Sequence, residues 1–312
     1  MIDVSREQRE RYAELNRSFT QSRIQTFGGG RGFCADVVGL LKAMIECLAH
    51  RRRLVVATDP RGRGFSLGFG WADYFEDIFP TSRSRLLVHL NRHRLPAHSR
   101  MPKIILDPLL ASIRSIGGGL MAFDALELPE ELVVPELGID LAWWEASELC
   151  LSMIWRFRED VDAQVRHHRA VLDLPEEYLA LHVRRGDKIT ETEYVPLERY
   201  VETIERFPYR HVLVASDDSG IVAKLRGLLG RGFIVIPAGS PNSRGYDQRS
   251  FDAQLPESRW RSTVQFLCEF EAIRRATQVI VSTSSNVGCL IQYARGGRGV
   301  TDLGYYSSRG ES

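Results

Sequence analysis

The sequence lacks several features that would assign a protein class at once. It has no apolar run of about 18 residues, the length needed to cross a bilayer, and residues 1–17 are too charged for a secretory leader. It has only five cysteines, and no two of them are spaced as C-x-x-C. Such scattered cysteines are typical of reduced thiols rather than of a disulfide framework or a zinc site. We therefore expect a cytoplasmic protein without a membrane span.

An excess of charge of one sign is also missing. The sequence has 41 Lys and Arg residues against 40 Asp and Glu residues, which gives a formal net charge of +1. A general nucleic-acid-binding protein should carry a basic excess, so nucleic acid is not an expected partner. No group of His, Cys, Asp and Glu has the spacing of metal ligands, so we expect neither a bound metal nor another cofactor.

What the sequence does contain is typical of a globular α/β protein. Apolar residues make up 44% and charged residues 26% of the chain. A chain of 312 residues exceeds the size at which one hydrophobic core keeps growing. Pro175 disfavours helix in the residue before it and marks a plausible linker. We therefore expect two domains, at residues 1–174 and 175–312.

The apolar pattern alternates between strands and helices. The first half predicts strands at 22–27 and 54–58 around a helix with apolar positions over 37–48, weaker strands at 86–88 and 103–106, and one or two helices over 145–172. The second half predicts strands at 178–184, 211–216, 232–236 and 278–282, separated by helices at 197–206, 219–229 and 259–276. This alternation indicates parallel sheets covered by helices on both faces. Residues 237–256 lack periodicity and are long enough to form a functional loop.

A cluster of charged side chains follows the strand predicted at 178–184. It comprises His182, Arg184, Arg185, Asp187 and Lys188. Ligands of open α/β sheets bind beyond the carboxyl ends of the strands, and paired guanidinium groups suit phosphate oxygens. The alternative interpretation is a solvated basic turn.

Two further polar loops are expected at the same edge of the sheet. Asp217 and Asp218 follow the strand at 211–216, and Ser284, Ser285 and Asn286 follow the strand at 278–282. Either loop could instead supply an ordinary helix N-cap. Taken together, the three loops predict a nucleotide-sugar pocket in which arginines rather than Mg²⁺ neutralise the diphosphate.

A glycine-rich turn in the first half allows a different interpretation. Gly30 and Gly32 with Ala35 satisfy the spacing G-x-G-x-x-A, and Asp59 ends the next predicted strand. This pattern also occurs where a pyrophosphate meets a helix N-terminus and an acid binds a ribose hydroxyl. An NAD(P)-dependent oxidoreductase that uses the turn at 28–32 therefore remains an alternative, as does a plain tight turn.

The motifs in the second half resemble those of the α1,6-fucosyltransferases. The resemblance rests on His-Val-Arg-Arg-x-Asp-Lys at 182–188, Ala-Ser-Asp-Asp at 215–218 and Ser-Ser at 284–285, and it is dense over 176–295. It implies a GT-B-like α/β fold, with two Rossmann-type domains whose parallel sheets face a central cleft. It also implies GDP-fucose as donor, a glycan as acceptor, and metal-independent transfer with inversion, to GlcNAc through an α1,6 linkage.

The resemblance also implies roles for individual residues. Arg184 and Arg185 would stabilise the leaving diphosphate, and Gly30 and Gly32 would approach GDP from the N-terminal domain, which we expect to carry the acceptor. The remaining donor-binding positions are His182, Asp187, Asp217, Asp218, Ser284, Ser285, Asn286 and, on the guanine side, Glu269.

The catalytic base is less clearly indicated. The family's glutamate position falls on Thr192 here, and a one-residue deletion would align Glu191 with it. Glu191 is therefore our first candidate for the base and Glu193 the second, with Lys188 orienting the base; a solvated loop acid is the alternative for either. The acceptor and the oligomeric state remain open. Another nucleotide sugar and an inactive sugar-binding protein also remain alternatives.

Overall fold

The computed structural model describes residues 2–28, 32–85, 87–88, 121–122, 128–185, 194–239 and 248–304. The chain forms two compact units, Met1–Arg158 and Glu159–Ser312. Both are built on parallel sheets flanked by helices, as the alternating apolar pattern predicts. Within the described residues, no helix is both long and apolar enough to cross a membrane.

The first unit contains a four-stranded parallel sheet and a separate hairpin. The sheet has the strand order β3-β2-β1-β4, and β5 pairs with β6 in antiparallel fashion. Its elements are α1 (Arg6–Ser18), β1 (Gln21–Thr26), α2 (Phe33–Ala49), β2 (Arg52–Thr58), β3 (Thr81–Arg83), β4 (Met121–Ala122), β5 (Glu131–Val134), β6 (Ile139–Ala142) and α3 (Trp143–Ile154).

Local sequence explains the first two helices. Helix α1 starts with a capping box, in which the Ser5 hydroxyl accepts from the Gln8 backbone N–H at 3.1 Å and the Gln8 side chain accepts from the Ser5 N–H at 2.9 Å. Helix α2 follows the predicted apolar spacing, and its side chains at Leu40, Met44 and Ile45 are fully buried. These contacts hold the β-α-β start of the unit in place.

The second unit contains a five-stranded sheet in which every strand is parallel to its neighbours. The strand order is β11-β10-β7-β8-β9. Its elements are α4 (Glu159–Leu172), β7 (Leu179–Val183), α5 (Leu197–Ile204), β8 (His211–Ser216), α6 (Gly220–Leu229), β9 (Ile234–Pro237), α7 (Gln248–Asp252), α8 (Pro256–Arg274), β10 (Gln278–Val281), α9 (Asn286–Ala294) and β11 (Val300–Asp302).

The strand order of the second unit creates a switch point. The chain moves outward from β7 to β8 and β9, then returns to the other side of β7 with β10 and β11. Loops that leave β7 and β10 therefore diverge to opposite faces and open a crevice at the carboxyl edge. Strand β7 is central and buried along its whole length, so this crevice has a rigid floor.

Some predicted elements differ from the structure. Residues 86–88 were expected as a strand, but Arg85, Leu87 and Val88 are helical, because a short buried apolar run does not distinguish the two states. The apolar residues Trp155 and Phe157 lie between α3 and α4 rather than within one long helix. Helix α1, strand β11 and the β5–β6 hairpin were not predicted, and residues 103–106 lie outside the described residues.

The first unit ends at Arg158, whereas the sequence suggested a boundary after residue 174. Helix α4 accounts for this difference, since it packs against α8 of the second unit. Its apolar side chains Val161 and Val165 are buried in that unit. The helix therefore contributes side chains to the sheet that carries the arginine motif.

Candidate nucleotide-binding site

The three polar loops that the sequence predicts lie along the carboxyl edge of the second unit's sheet. Strands β7 and β8 end level with each other, since His182 pairs with Ala215 and Val183 with Ser216. Strand β10 pairs with β7 through Ile280 and Leu181 and ends one residue later, at Val281. The loops that follow the three strands consequently start side by side.

Arg184 is held by an ion pair within this edge. Its guanidinium lies 2.7 Å from the Asp217 carboxylate, and both side chains are largely buried. The other Asp217 oxygen accepts from the Arg185 backbone N–H at 2.7 Å. Asp217 thus connects the loops after β7 and β8 and fixes the path of the arginine turn.

Arg185 is fixed differently. Its guanidinium donates to the Val195 carbonyl at 2.8 Å and lies over the Tyr194 ring, 4.9 Å from the ring centre. The Tyr194 hydroxyl donates to the Arg185 carbonyl. Within the described residues no carboxylate pairs with the Arg185 guanidinium, so its charge is positioned without being neutralised.

His182 lies beneath the two arginines in β7 and is buried. Burial lowers the pKa of His182 to about 4; the nearby Asp217 carboxylate raises this pKa and the Arg184 guanidinium lowers it. The imidazole is consequently neutral near pH 7. Its Nδ1 atom is buried and has no hydrogen-bond partner among the described residues.

Asp218 makes different contacts from Asp217. Its carboxylate accepts from the Gly220 backbone N–H at 2.9 Å, and its own N–H donates to the Ser216 hydroxyl at 3.1 Å. These bonds form the turn that precedes α6, whose N-cap residue is Ser219. Asp217 is therefore the member of the acidic pair that contacts the arginine turn.

The serine loop after β10 leads directly into α9. The Ser285 hydroxyl accepts from the Val287 backbone N–H at 3.3 Å and caps the helix, whose first residue is Asn286. Ser284 contacts the Ser282 hydroxyl at 2.7 Å. Gly288 lies so close to the Ser282 carbonyl oxygen that a methyl group there would overlap it. The start of α9 is thus brought onto the end of β10.

The far side of this loop is closed by its own hydrogen bonds. The Asp302 carboxylate accepts from the Thr283 hydroxyl at 2.6 Å, from the Thr283 N–H at 3.0 Å and from the Gly304 N–H at 2.9 Å. Sequence reasoning did not predict this role for Asp302. These three hydrogen bonds occupy the Asp302 carboxylate at the β11 end of the edge.

Glu269 lies at the opposite end, beside β9. Its carboxylate lies so near Gly239 that a methyl group on that glycine would overlap it, and it accepts from the Gln265 side chain at 3.0 Å. Burial raises the pKa of Glu269, although the Gln265 hydrogen bond lowers it. Gly239 was not predicted as a site residue, since a single glycine at the start of a polar loop carries no distinctive sequence signal.

The glycine turn of the first unit closes on a carboxylate of its own. The Gly28 N–H donates to the buried Asp36 carboxylate at 2.8 Å, and Gly32 occupies the N-cap position of α2. Asp59, the expected ribose ligand of the alternative interpretation, forms two side-chain hydrogen bonds with Arg61, at 3.1 and 2.8 Å. Carboxylate charge at the start of α2 disfavours the dinucleotide interpretation, in which this helix N-terminus by itself would hold a pyrophosphate.

Several predicted site residues lie outside the described residues: Gly30, Asp187, Lys188, Glu191 and Glu193. Their expected roles remain predictions. In the part of the chain that is described, no group of three or more His, Cys, Asp and Glu side chains is arranged to hold a metal ion.

The fold is that of the GT-B-like α/β class, with parallel Rossmann-type sheets and polar loops at the carboxyl edge of the second sheet. Comparison with solved structures makes the likeness specific. NodZ α1,6-fucosyltransferase soaked with GDP-fucose matches with a TM-score of 0.51 and 15% identity, over 89% of this chain and 92% of NodZ. NodZ from Bradyrhizobium gives the same score over 93% of its length. An Arabidopsis thaliana FUT1 variant in complex with GDP matches with a TM-score of 0.51 and 11% identity, over 97% of this chain and 76% of FUT1.

These likenesses confirm the predicted fucosyltransferase fold. No protein-family profile matches the sequence, and no curated protein matches it by sequence. The likeness is thus one of fold.

Proposed function

We propose that the protein is an inverting, metal-independent glycosyltransferase that moves L-fucose from GDP-fucose to a glycan hydroxyl. The observation that carries this proposal is the Arg185 guanidinium, which is fixed at the switch point without a carboxylate partner among the described residues. Solved proteins of this fold hold GDP or GDP-fucose. An α1,6 linkage to GlcNAc is the specific transfer that we propose.

The diphosphate would lie between the arginine turn and the start of α9. As the bond between fucose and the β-phosphate breaks, negative charge develops on the departing GDP. Arg185 and Arg184 would stabilise that charge, a role that suits groups already fixed in place. The Ser285 hydroxyl would donate to a phosphate oxygen while it still caps α9, because a hydroxyl can accept and donate at once.

The acceptor hydroxyl must lose a proton as it attacks the fucose carbon from the face opposite to GDP. We propose Glu191 as the base that takes this proton, with Lys188 orienting it, and Glu193 as the second candidate. The new bond joins the acceptor oxygen to the fucose carbon, and the bonding pair of the broken bond leaves with GDP. Configuration at that carbon is therefore inverted.

The nucleoside would extend from the switch point toward β8 and β9. In this arrangement the Glu269 carboxylate accepts hydrogen bonds from a guanine edge, and His182 supports the loop from below as a neutral imidazole. Asp187, Asp218, Ser284 and Asn286 complete the proposed donor-binding residues. Gly30 and Gly32 of the first unit, which we propose as the acceptor side, would approach the nucleotide.

The experiment that tests this function has two parts. Thermal unfolding with GDP, UDP and NADPH should show the largest stabilisation with GDP, because a ligand that binds the native state raises the unfolding temperature by mass action. Incubation with GDP-fucose and a panel of chitooligosaccharides and other GlcNAc-terminated glycans should then give products heavier by one fucosyl unit. An NADPH preference would favour the oxidoreductase alternative, and a UDP preference another nucleotide sugar.

A further inference from the structure

Arg184 and Arg185 are held by different kinds of group, although they are neighbours in one turn. The Arg184 guanidinium pairs with the Asp217 carboxylate at 2.7 Å. The Arg185 guanidinium lies instead over the Tyr194 ring, with its Cζ atom 4.9 Å from the ring centre. An aromatic face carries partial negative charge and therefore attracts a cation. One arginine of the turn thus has an anionic support and the other an aromatic one.

An aromatic support leaves more of a guanidinium available to a ligand than a carboxylate does. A carboxylate accepts from the N–H groups that a phosphate would use, whereas a ring attracts the charge through its face. A guanidinium has five N–H groups, and Arg185 uses two of them, for the Val195 carbonyl at 2.8 Å and the Arg184 carbonyl at 3.3 Å. Among the contacts of the described residues, three N–H groups are therefore left for an external anion.

Tyr194 also holds the backbone of the arginine turn. Its hydroxyl donates to the Arg185 carbonyl. The next residue, Val195, provides the carbonyl that accepts from the Arg185 guanidinium, and its side chain is buried in the hydrophobic core of the second unit. The main chain and the side chain of Arg185 are thus both tied to a segment that is anchored in this core.

We propose that Tyr194 is a positioning residue for the transfer reaction, whose ring holds the Arg185 guanidinium in place for the diphosphate without neutralising its charge. The inference rests on the proposed GDP-fucose-dependent function. Negative charge on GDP grows as the bond to fucose breaks, so a group that acts through Arg185 should stabilise the transition state more than the bound substrate. Loss of the ring should therefore lower kcat more than it raises KM for GDP-fucose.

Steady-state kinetics of two variants measure the contribution of the ring. Tyr194→Leu removes the aromatic face and should lower kcat by about 5- to 30-fold, the upper range of a cation–π contact, while KM for GDP-fucose changes by less than about threefold. Tyr194→Phe keeps the ring and should retain kcat within about threefold. Tyr209→Leu is the matched control, because Tyr209 is also half-buried but lies just before β8, at the opposite edge of the sheet. It should leave both constants near their wild-type values.

A graded series separates attraction of the charge from simple packing. Mono-, di- and trifluorinated phenylalanine at residue 194 have nearly the same shape, but each fluorine weakens the negative face of the ring. The logarithm of kcat should fall stepwise along this series, and the trifluorinated protein should approach Tyr194→Leu. Equal kcat values across the series would contradict the proposal, because packing would then explain any loss in Tyr194→Leu. Since every member keeps a ring, the series also serves if the leucine variant folds poorly.

Binding of inorganic pyrophosphate separates this role from the proposed function. The charge that develops on the leaving group is complete in free pyrophosphate, so Tyr194→Leu should bind it about fivefold or more weakly than the wild type in a calorimetric titration. A wild-type protein that transfers no fucose, but shows this difference in pyrophosphate affinity, would remove the proposed function and keep the role of Tyr194 at the arginine turn. Fucose transfer with equal pyrophosphate affinities would remove the role of Tyr194 alone.

Discussion

Each unit places a characteristic turn directly after its first strand, and the two turns differ in charge. In the first unit, the turn after β1 has glycines at its centre, and the Gly28 N–H binds the buried Asp36 carboxylate. In the second unit, the turn after β7 carries two guanidinium groups; Asp217 pairs with Arg184, and no described carboxylate pairs with Arg185. The first turn holds an internal anion, and the second is the one for which we propose an external anion.

The difference shows that spacing alone does not identify a phosphate site. The glycine turn has the residue spacing of a dinucleotide-binding motif. The first turn of α2, however, supplies the Asp36 carboxylate at the place where a pyrophosphate would need positive potential. The arginine turn matches no general nucleotide pattern, yet it combines fixed donors with a guanidinium, that of Arg185, which no carboxylate of the described part of the chain neutralises. What a turn can bind therefore depends on the charge left after its internal pairs have formed.

The largest effect expected in the second unit concerns the loop that follows its arginine turn. Glu191→Gln should lower turnover with GDP-fucose by about 100-fold or more, since a general base contributes about 10²- to 10⁴-fold. Glu193→Gln, the matched change two residues away, should stay near the wild-type rate. Steady-state kinetics with a glycan acceptor measure both, and full activity in both variants would exclude either glutamate as the base.

The charge of Arg185 gives the next largest effect and tests the comparison directly. Arg185→Ala should lower kcat/KM by at least about 100-fold, the scale of losing one charge-stabilising donor, while secondary structure persists. Arg210→Ala is the control. Arg210 directly precedes β8, is exposed, and donates to the Gly232 carbonyl. Circular dichroism tests whether secondary structure persists, and the kinetics of GDP release measure the change in kcat/KM. Near-wild-type turnover in Arg185→Ala would contradict the proposed pocket.

Replacing a glycine by alanine should lower the free energy of unfolding by different amounts near the start of α9 and at the start of α2. Gly288→Ala should destabilise the protein by about 1–3 kcal/mol, because the methyl group overlaps the Ser282 carbonyl oxygen. At Gly32, the added carbon meets open space, so Gly32→Ala should cost less than about 1 kcal/mol, mainly through a poorer N-cap. Urea unfolding of both variants compares these costs, and equal losses would mean that close helix–strand packing is not specific to α9.

An effect of similar size is the pH dependence of stability that His182 should produce. The folded protein holds this imidazole neutral, with a pKa of about 4, whereas the unfolded chain protonates it below about pH 6.5. The unfolded state then binds more protons, so stability is complete above about pH 6.5 and falls by up to about 1.4 kcal/mol per pH unit as the pH drops toward 4. His182→Asn should flatten this part of the profile, and the exposed change His167→Asn should not. Unfolding free energies measured between pH 7 and 4.5 provide the check.

Periodicity predicted most strands and helices of the second unit, because buried parallel strands and amphipathic helices leave strong local patterns. Helix α1 was not predicted, because it has few apolar residues and therefore no clear periodicity. Its start is stabilised by the Ser5–Gln8 capping box. Residues 86–88 were assigned to the wrong state for the opposite reason, a short apolar run that suits either state. Strand β11 is too short to produce a pattern.

Sequence reasoning placed polar residues that follow strand ends, but it did not identify partners that come from distant helices. Sequence placed Arg184, Arg185 and Asp217 in loops at one sheet edge, but it did not indicate which arginine would be paired. The role of Asp36 in closing the glycine turn was equally invisible.

By itself, the sequence determined the α/β class, the parallel sheets and the chemical character of the loops after β7, β8 and β10. Those properties depend on side-chain type and on neighbours a few residues away. Tertiary structure alone decided that Asp217 pairs with Arg184, that Asp36 binds the Gly28 N–H, and that Glu269 lies beside Gly239. These pairings join residues of different elements, and their distances are set by how helices pack on the sheet.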